Sequence, residues 1–254
     1  MPYSDDFVPI GDFGAIKNFD LFEERILRSP SEAPTTMNLD DRRHVGLVHL
    51  LHRATGKSVM VVVTHLMTDS RDNKDTNLFP GEVRAHELSS IRRIVQDEWQ
   101  LRQQQGSPPD AVIFTGDFNI SLSAHKPDDE FHVLRGHLQT PDGKHQRNIE
   151  TGFVMQEESG NFVFSDWLPV EGGRSRPIQE AFADIHKWGE GVGPGGACSS
   201  FSSKRCNWID LMFYTADSLE LKKVSKNTTP SKPIPAQGYP SDHLPLAAWF
   251  EFRS

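Results

Sequence analysis

The sequence predicts an α/β protein, a mixed β-sheet covered by helix, on three observations. Two β-branched runs, HVGLVHLLH (His44 to His52) and SVMVVVTHL (Ser58 to Leu66), flank a short Gly-containing segment. A stretch of helical periodicity follows, from about Gly81 to Gln105. Then AVIFTGDFN (Ala111 to Asn119) gives a short apolar run that ends abruptly in Gly116 and Asp117.

The first pair of runs reads as a β-hairpin turning at Ala54 to Lys57. Val61, Val62 and Val63 are consecutive, so both faces of the second strand should be buried. Residues 67–80 are polar and turn-rich, which makes them a loop. In the helix, Leu88, Ile91, Ile94, Val95 and Trp99 recur at three- and four-residue spacing. Gly106 and the Pro108-Pro109 pair end it. Ala111 to Asn119 is an interior strand with a loop at its C-terminal end. Residues 121–200 are rich in Gly, Pro, Ser and charge. The run GEGVGPGGA within them is a loop and no nucleotide cradle, since no phosphate-binding Lys-Ser/Thr follows. NWIDLMFY (Asn207 to Tyr214) is a strand, 217–238 a polar, Pro-containing linker, and GYPSDHLPLAAWFEF a turn and a last strand. Residues 1–40 are acidic and proline-punctuated.

The formal net charge is −8. A protein that coats DNA or RNA through phosphates alone is basic overall, so that class is disfavoured. An enzyme with a local cationic pocket or a bound divalent metal is not, because the metal can be the largest local positive charge. The hydrophobic share of 36% suits one globular domain with a core of its own. Cys198 and Cys206 are too sparse for a disulfide framework and predict free thiols in a reducing compartment. The N-terminal segment has neither a basic n-region nor an apolar h-region, and no apolar run approaches membrane-spanning length. The expectation is a soluble intracellular protein, cytoplasmic or nuclear, with no membrane span.

Four apolar strands end in polar residues, and these carry the chemistry. They present His65, then Asp117 with Asn119, then Asp210, then Asp242 with His243. Asp117 and Asn119 lie two apart after a strand, so their side chains can leave on one side. A carboxylate can accept a proton or bind a cation, and an amide can donate to a phosphoryl oxygen. Each residue has a plainer alternative as well. Asp and Asn at a strand end often close a local turn, as Asp242-His243 can after Gly238 and Pro240. Asp210 interrupts an apolar run, where a buried carboxylate needs a partner, and an imidazole is the natural one.

The order T-H-L, G-D-F-N, I-D-x-x-F-Y, S-D-H-L-P resembles the endonuclease/exonuclease/phosphatase superfamily, in particular its deadenylase-like branch of nocturnin, Angel and 2′-phosphodiesterase relatives. The likeness runs from about residue 40 to the C-terminus. It implies a DNase I-like four-layer α/β sandwich, two packed mixed β-sheets flanked by helices. It also implies roles. His65 would contact the scissile phosphate, Asp117 would orient or deprotonate the attacking water, and Asn119 would hold phosphate oxygens. His243, oriented by Asp210, would stabilise charge on the phosphorane. Asp242 would help hold a divalent cation, Mg²⁺ or Mn²⁺. Arg84 would bind substrate, although Glu87 stands where the family often has Gln. The alternative for Arg84 is a solvated helix face. Arg174 and Arg176, in EGGRSRP, read as a solvated loop, with contact to a phosphate backbone as the alternative.

The family opens with a strand carrying Asn and a strand ending in Gln-Glu, whose Glu is the principal metal ligand. Neither is found here, and Glu23 and Glu24 fall too late in the pattern to replace it. The expectation is a single domain, 1–254, incomplete at its N-terminus. The activity implied is that of a Mg²⁺-dependent nucleic-acid phosphodiesterase acting on RNA, specifically a 3′-exoribonuclease or poly(A) deadenylase. The alternatives are a small-molecule or lipid phosphodiesterase of the same superfamily and a non-catalytic relative serving as a binding domain.

Overall fold

A computed structural model of the 254-residue chain describes residues 7–9, 17–20, 44–68, 80–120, 132–139, 146–158, 161–165, 168, 176–183, 198–202, 205–225, 234–235 and 241–254. The first half holds β1 (Phe7–Pro9), β2 (Lys17–Asp20), β3 (His44–His52), β4 (Ser58–His65), α1 (Pro80–Gln104) and β5 (Ala111–Asp117). The middle adds β6 (His137–Gln139), β7 (Gln146–Asn148), β8 (Val154–Glu158), β9 (Asn161–Ser165) and β10 (Ile178–Glu180). The last part holds β11 (Ser200–Ser202), β12 (Arg205–Asn207), β13 (Asp210–Thr215), β14 (Leu219–Val224) and β15 (Ala248–Phe252).

Nine strands form one mixed sheet in the order β1-β3-β4-β5-β13-β10-β9-β8, with β2 also paired to β3. The predicted hairpin is β3–β4, paired antiparallel from Val45↔Thr64 to Leu51↔Ser58. Gly56 turns it with φ 68°, a left-handed conformation that glycine adopts without cost. Strands β4 and β5 pair in parallel, which requires a crossover, and α1 supplies it. That helix ends in a Schellman cap. Ser107 N–H donates to Arg102 O and Gly106 N–H to Gln103 O, with Gly106 at φ 72°.

Alternation of side chains sorts the sheet into two faces. One carries Leu47, Met60, Val62, Val112, Phe114, Leu211 and Phe213, all buried. This face looks toward α1, as the buried His49 Nε2–Glu98 Oε1 contact of 3.1 Å shows. Phe118 and Phe153 extend it, with ring centroids 5.4 and 5.3 Å from Phe213. The other face carries Val59, Val61, Val63, Ile113, Met212 and Tyr214. The β14–β15 pair covers part of it, with Phe250 5.0 Å from Tyr214. Among the described residues the layers are therefore helix, large sheet and small sheet, three of the four layers expected.

Several expectations need correction. Val63 is 48% exposed, so β4 is not buried on both faces along its whole length. The 217–238 linker contains β14. A register shift between Leu221 and Lys223 breaks the period-two pattern that marks a strand. The 121–200 region, in which composition marked no strand, contributes the β8–β9 hairpin and β10 to the main sheet. Cys198 and Cys206 are joined in a disulfide, with Cα atoms 5.5 Å apart. The antiparallel β11–β12 pairing brings them within bridging reach, which a count of cysteines does not reveal. Arg176 is not a solvated loop residue. It makes a bidentate pair with Asp217 at 2.8 and 3.0 Å and lies over the Trp99 ring. Arg174, Glu23, Glu24 and GEGVGPGGA fall outside the described residues.

Candidate active site

Register places the chemistry. His65 is the cross-strand partner of Asp117, and Asp117 is that of Asp210. The three side chains therefore form one row across β4, β5 and β13, on the face that holds Val63. Gly116 makes the row possible. Its φ is +145°, and a Cβ there would sit 1.9 Å from the Thr64 carbonyl oxygen. No other residue fits without parting the strands.

His243 completes the group from the other end of the chain. Its Nδ1 lies 2.8 Å from Asp210 Oδ2, the partner predicted from the sequence. Its Nε2 lies 3.6 Å from Asp117 Oδ2, and His65 Nε2 lies 3.4 Å from the same oxygen. The hydrogen bond to Asp210 raises the His243 pKa to about 9 against the opposing effect of partial burial, with the charges of Asp210, Asp117 and Asp242 adding to the rise. His243 is therefore a cation at neutral pH. Burial raises the Asp117 pKa, as does the charge of Asp210, while Asn119 N–H, His65 and His243 oppose the shift.

Asn119 closes the strand end. Its N–H donates to Asp117 Oδ1 at 2.8 Å, and its φ of 50° is a left-handed conformation that Asn tolerates better than most residues. The turn expected from Asp and Asn here is thus present, and it fixes the catalytic candidate. Asn119 Nδ2 spends one hydrogen on the Leu66 carbonyl at 2.9 Å, and Leu66 N–H donates to the Asp117 carbonyl. The strand ends holding His65 and Asp117 are stitched together this way.

The remaining candidates sit apart from this row. Asp242 is exposed at the rim, and its carbonyl accepts Phe201 N–H at 2.9 Å. Arg84 is 3% exposed, so a solvated helix face is excluded. Its guanidinium donates to the Met67 carbonyl, while Glu87 Oε2 accepts Met67 N–H at 2.9 Å. Both residues brace the backbone two positions after His65. The sequence reading missed Ser199, whose hydroxyl accepts the N–H groups of Ile209 and Asp210. A serine beside a cysteine carries no distinguishing signal, and only the pairing of the strands exposes its part.

One oxygen each of Asp117 and Asp210 and one nitrogen of His243 lie within 4.8 Å of one another. The carboxylates are hard oxygen donors of the kind Mg²⁺ takes. His243, engaged with Asp210 through Nδ1, flanks the two carboxylates. The set fits a divalent cation through Asp117 and Asp210.

The arrangement of a mixed sheet packed against helix on one face and a small sheet on the other is the DNase I-like fold of the endonuclease/exonuclease/phosphatase proteins. Among solved structures the chain is similar to ANGEL2, a 2′,3′-cyclic phosphatase, with TM-score 0.57 and 16% identity over 97% of this chain and 68% of that one. The complex of ANGEL2 with adenosine-2′,3′-vanadate gives TM-score 0.56 at 16% identity, with the same coverage. The human nocturnin catalytic domain with bound sulfate gives 0.46 at 15% identity, covering 98% of this chain and 62% of that one. The chain thus spans about two thirds of the length of these structures. No protein-family model matches it, and no curated protein does. Among the described residues, no helix is long and apolar enough to cross a membrane.

Proposed function

We propose that the chain is a phosphoesterase that hydrolyses a phosphodiester by in-line attack of water. The observation that carries this is the group His65, Asp117, His243 and Asp210, held within hydrogen-bonding and ion-pairing distance at adjacent strand ends. Such a site offers a carboxylate for water and a fixed cation for phosphate, which phosphoryl transfer needs more than covalent chemistry. Asp117, with its pKa raised, sits closer to neutrality as a proton acceptor and orients the water. His243, held in one orientation by Asp210, presents Nε2–H to the developing phosphorane charge. His65 and Asn119 Nδ2 would contact phosphate oxygens. Mg²⁺, held by Asp117 and Asp210 with Asp242 at the rim, would neutralise phosphate charge and polarise the reacting centre.

The substrate class we favour is the 3′ end of RNA, trimmed exonucleolytically as in the deadenylase-like relatives. A second reading is hydrolysis of a terminal 2′,3′-cyclic phosphate, favoured by the structural likeness to ANGEL2. The test is hydrolysis of 5′-labelled oligo(A), with and without a 2′,3′-cyclic phosphate end, in Mg²⁺, in Mn²⁺ and in EDTA. Ladder-wise shortening supports the first reading, and loss of the cyclic phosphate at constant length supports the second. Cleavage unaffected by Asp117→Ala would overturn both.

A further inference from the structure

The two halves of the His243–Asp210 pair come from segments far apart in sequence, and one short stretch touches both. Ser199 is fully buried. Its Oγ accepts the N–H groups of Ile209 and Asp210, each at 3.0 Å. Its carbonyl accepts Leu244 N–H at 2.7 Å, and its N–H donates to Asn207 O at 3.0 Å. Around it, Ser200 bridges to His243, and Phe201 N–H donates to the Asp242 carbonyl. Cys198, the residue before Ser199, is buried and tied to Cys206 on the opposite arm of the turn.

We propose that Ser199 is the positioning residue that sets Asp210 against His243, with the Cys198–Cys206 bridge holding it in place. The side chain fixes the start of β13, where Asp210 sits, and the carbonyl fixes the residue after His243. A hydroxyl has two lone pairs, and here both are placed for backbone amides. Removing it leaves two N–H groups without that partner beside the site. Half-buried donors of this kind lose free energy when unpaired, so the backbone at 209–210 shifts to find other acceptors. A small shift there changes a 2.8 Å contact that sets the tautomer and orientation of the imidazole. Ser199 touches no substrate in this scheme and acts through Asp210.

The proposal rests on the reading of His243 and Asp210 given under the proposed function, so its test carries a readout that needs no turnover. Histidine-labelled protein is followed by NMR through the hydrogen-bonded Nδ1–H of His243, identified by its absence in His243→Asn. Ser199→Ala is expected to lose or broaden that resonance. It should also lower kcat by about ten- to a hundredfold, with KM little changed. Ser199→Thr, which keeps the hydroxyl, should restore both. In an Asp210→Asn background, Ser199→Ala should cost no further activity. A folded Ser199→Ala protein with the resonance in its wild-type position would overturn the proposal, as would a loss that adds in full to that of Asp210→Asn. If Ser199→Ala does not fold, Ser199→Thr and Ser199→Val, near-isosteric and differing in the hydroxyl, carry the same comparison. If the wild-type chain hydrolyses no phosphoester, the functional reading falls and the resonance still decides the role of Ser199.

Discussion

The two faces of the central sheet use the same strands for opposite ends. Toward α1, Val62, Phe114 and Phe213 pack with Phe118 and Phe153 and exclude water. On the reverse face, one row carries His65, Asp117 and Asp210 beside a half-exposed Val63. Adjacent residues on one strand therefore answer to different physics. A change on the packed face should cost stability, and a change on the polar row should cost chemistry with little loss of stability.

The largest effect expected is at the centre of the row. Asp117→Ala should lower kcat by about 10²–10⁴-fold, the usual size for a positioned proton acceptor. Thermal stability should hardly fall, because burial already opposes the charged form of this carboxylate. Comparing the rate with the melting curve of the same preparation separates the two. A melting temperature that drops as far as that of a core variant would break the comparison. That core variant is Phe213→Ala, expected to cost about 3–5 kcal/mol through the cavity it leaves. Denaturant unfolding followed by circular dichroism measures it.

The disulfide lies between these extremes, because it serves the site by way of the backbone. Replacing both Cys198 and Cys206 by Ser should cost about 2–3 kcal/mol, since it releases an eight-residue closure in the unfolded chain. Activity should fall along with it through the Ser199 contacts. Mass spectrometry with and without alkylation checks that the bridge forms.

The His243–Asp210 pair gives a pH dependence whose sign can be worked out. The folded pKa of His243, about 9, lies above the ordinary value of 6.5. Stability from this pair is therefore fully present below about 6.5 and is lost as pH rises through about 9. Activity should show the same alkaline limb, because in the proposed reaction the imidazolium is the form that meets phosphate. The acidic limb should sit above the ordinary carboxylate range, since the Asp117 pKa is raised. Asp210→Asn should pull the His243 titration, followed by NMR, back toward neutrality. A titration that does not move would show that Asp210 is not what holds the proton.

Much of this organisation was legible in the residues. The β3–β4 hairpin, α1, β5 and β13 all announce themselves by period and by their breakers, because tertiary packing agrees with local preference there. That Asp210 needs an imidazole partner followed from a carboxylate interrupting an apolar strand, and that this imidazole is His243 followed from the family resemblance. What stayed hidden depends on long-range pairing. Strand β14 is masked by its bulge, and the Cys198–Cys206 bridge depends on where a turn falls. Arg84 reads on a helical wheel as surface, yet it is buried because the chain after β4 folds back over it to be held at Met67.

The smallest effect expected tests the comparison most sharply. Val62 and Val63 are neighbours on β4 with opposite faces, one fully buried and the other 48% exposed. Val62→Thr introduces a hydroxyl into the packed layer under Phe114, so it should cost about 1–3 kcal/mol if that group finds no partner. Val63→Thr keeps the β-branched shape and puts the same hydroxyl into water, so it should change stability by no more than about 0.5 kcal/mol. The pair controls for strand propensity, because both substitutions are the same and lie one residue apart. Equal costs would mean that the reverse face near the site is as closed as the α1 face. The polar row would then work in a buried pocket, and the exposure assigned to Val63 would be wrong.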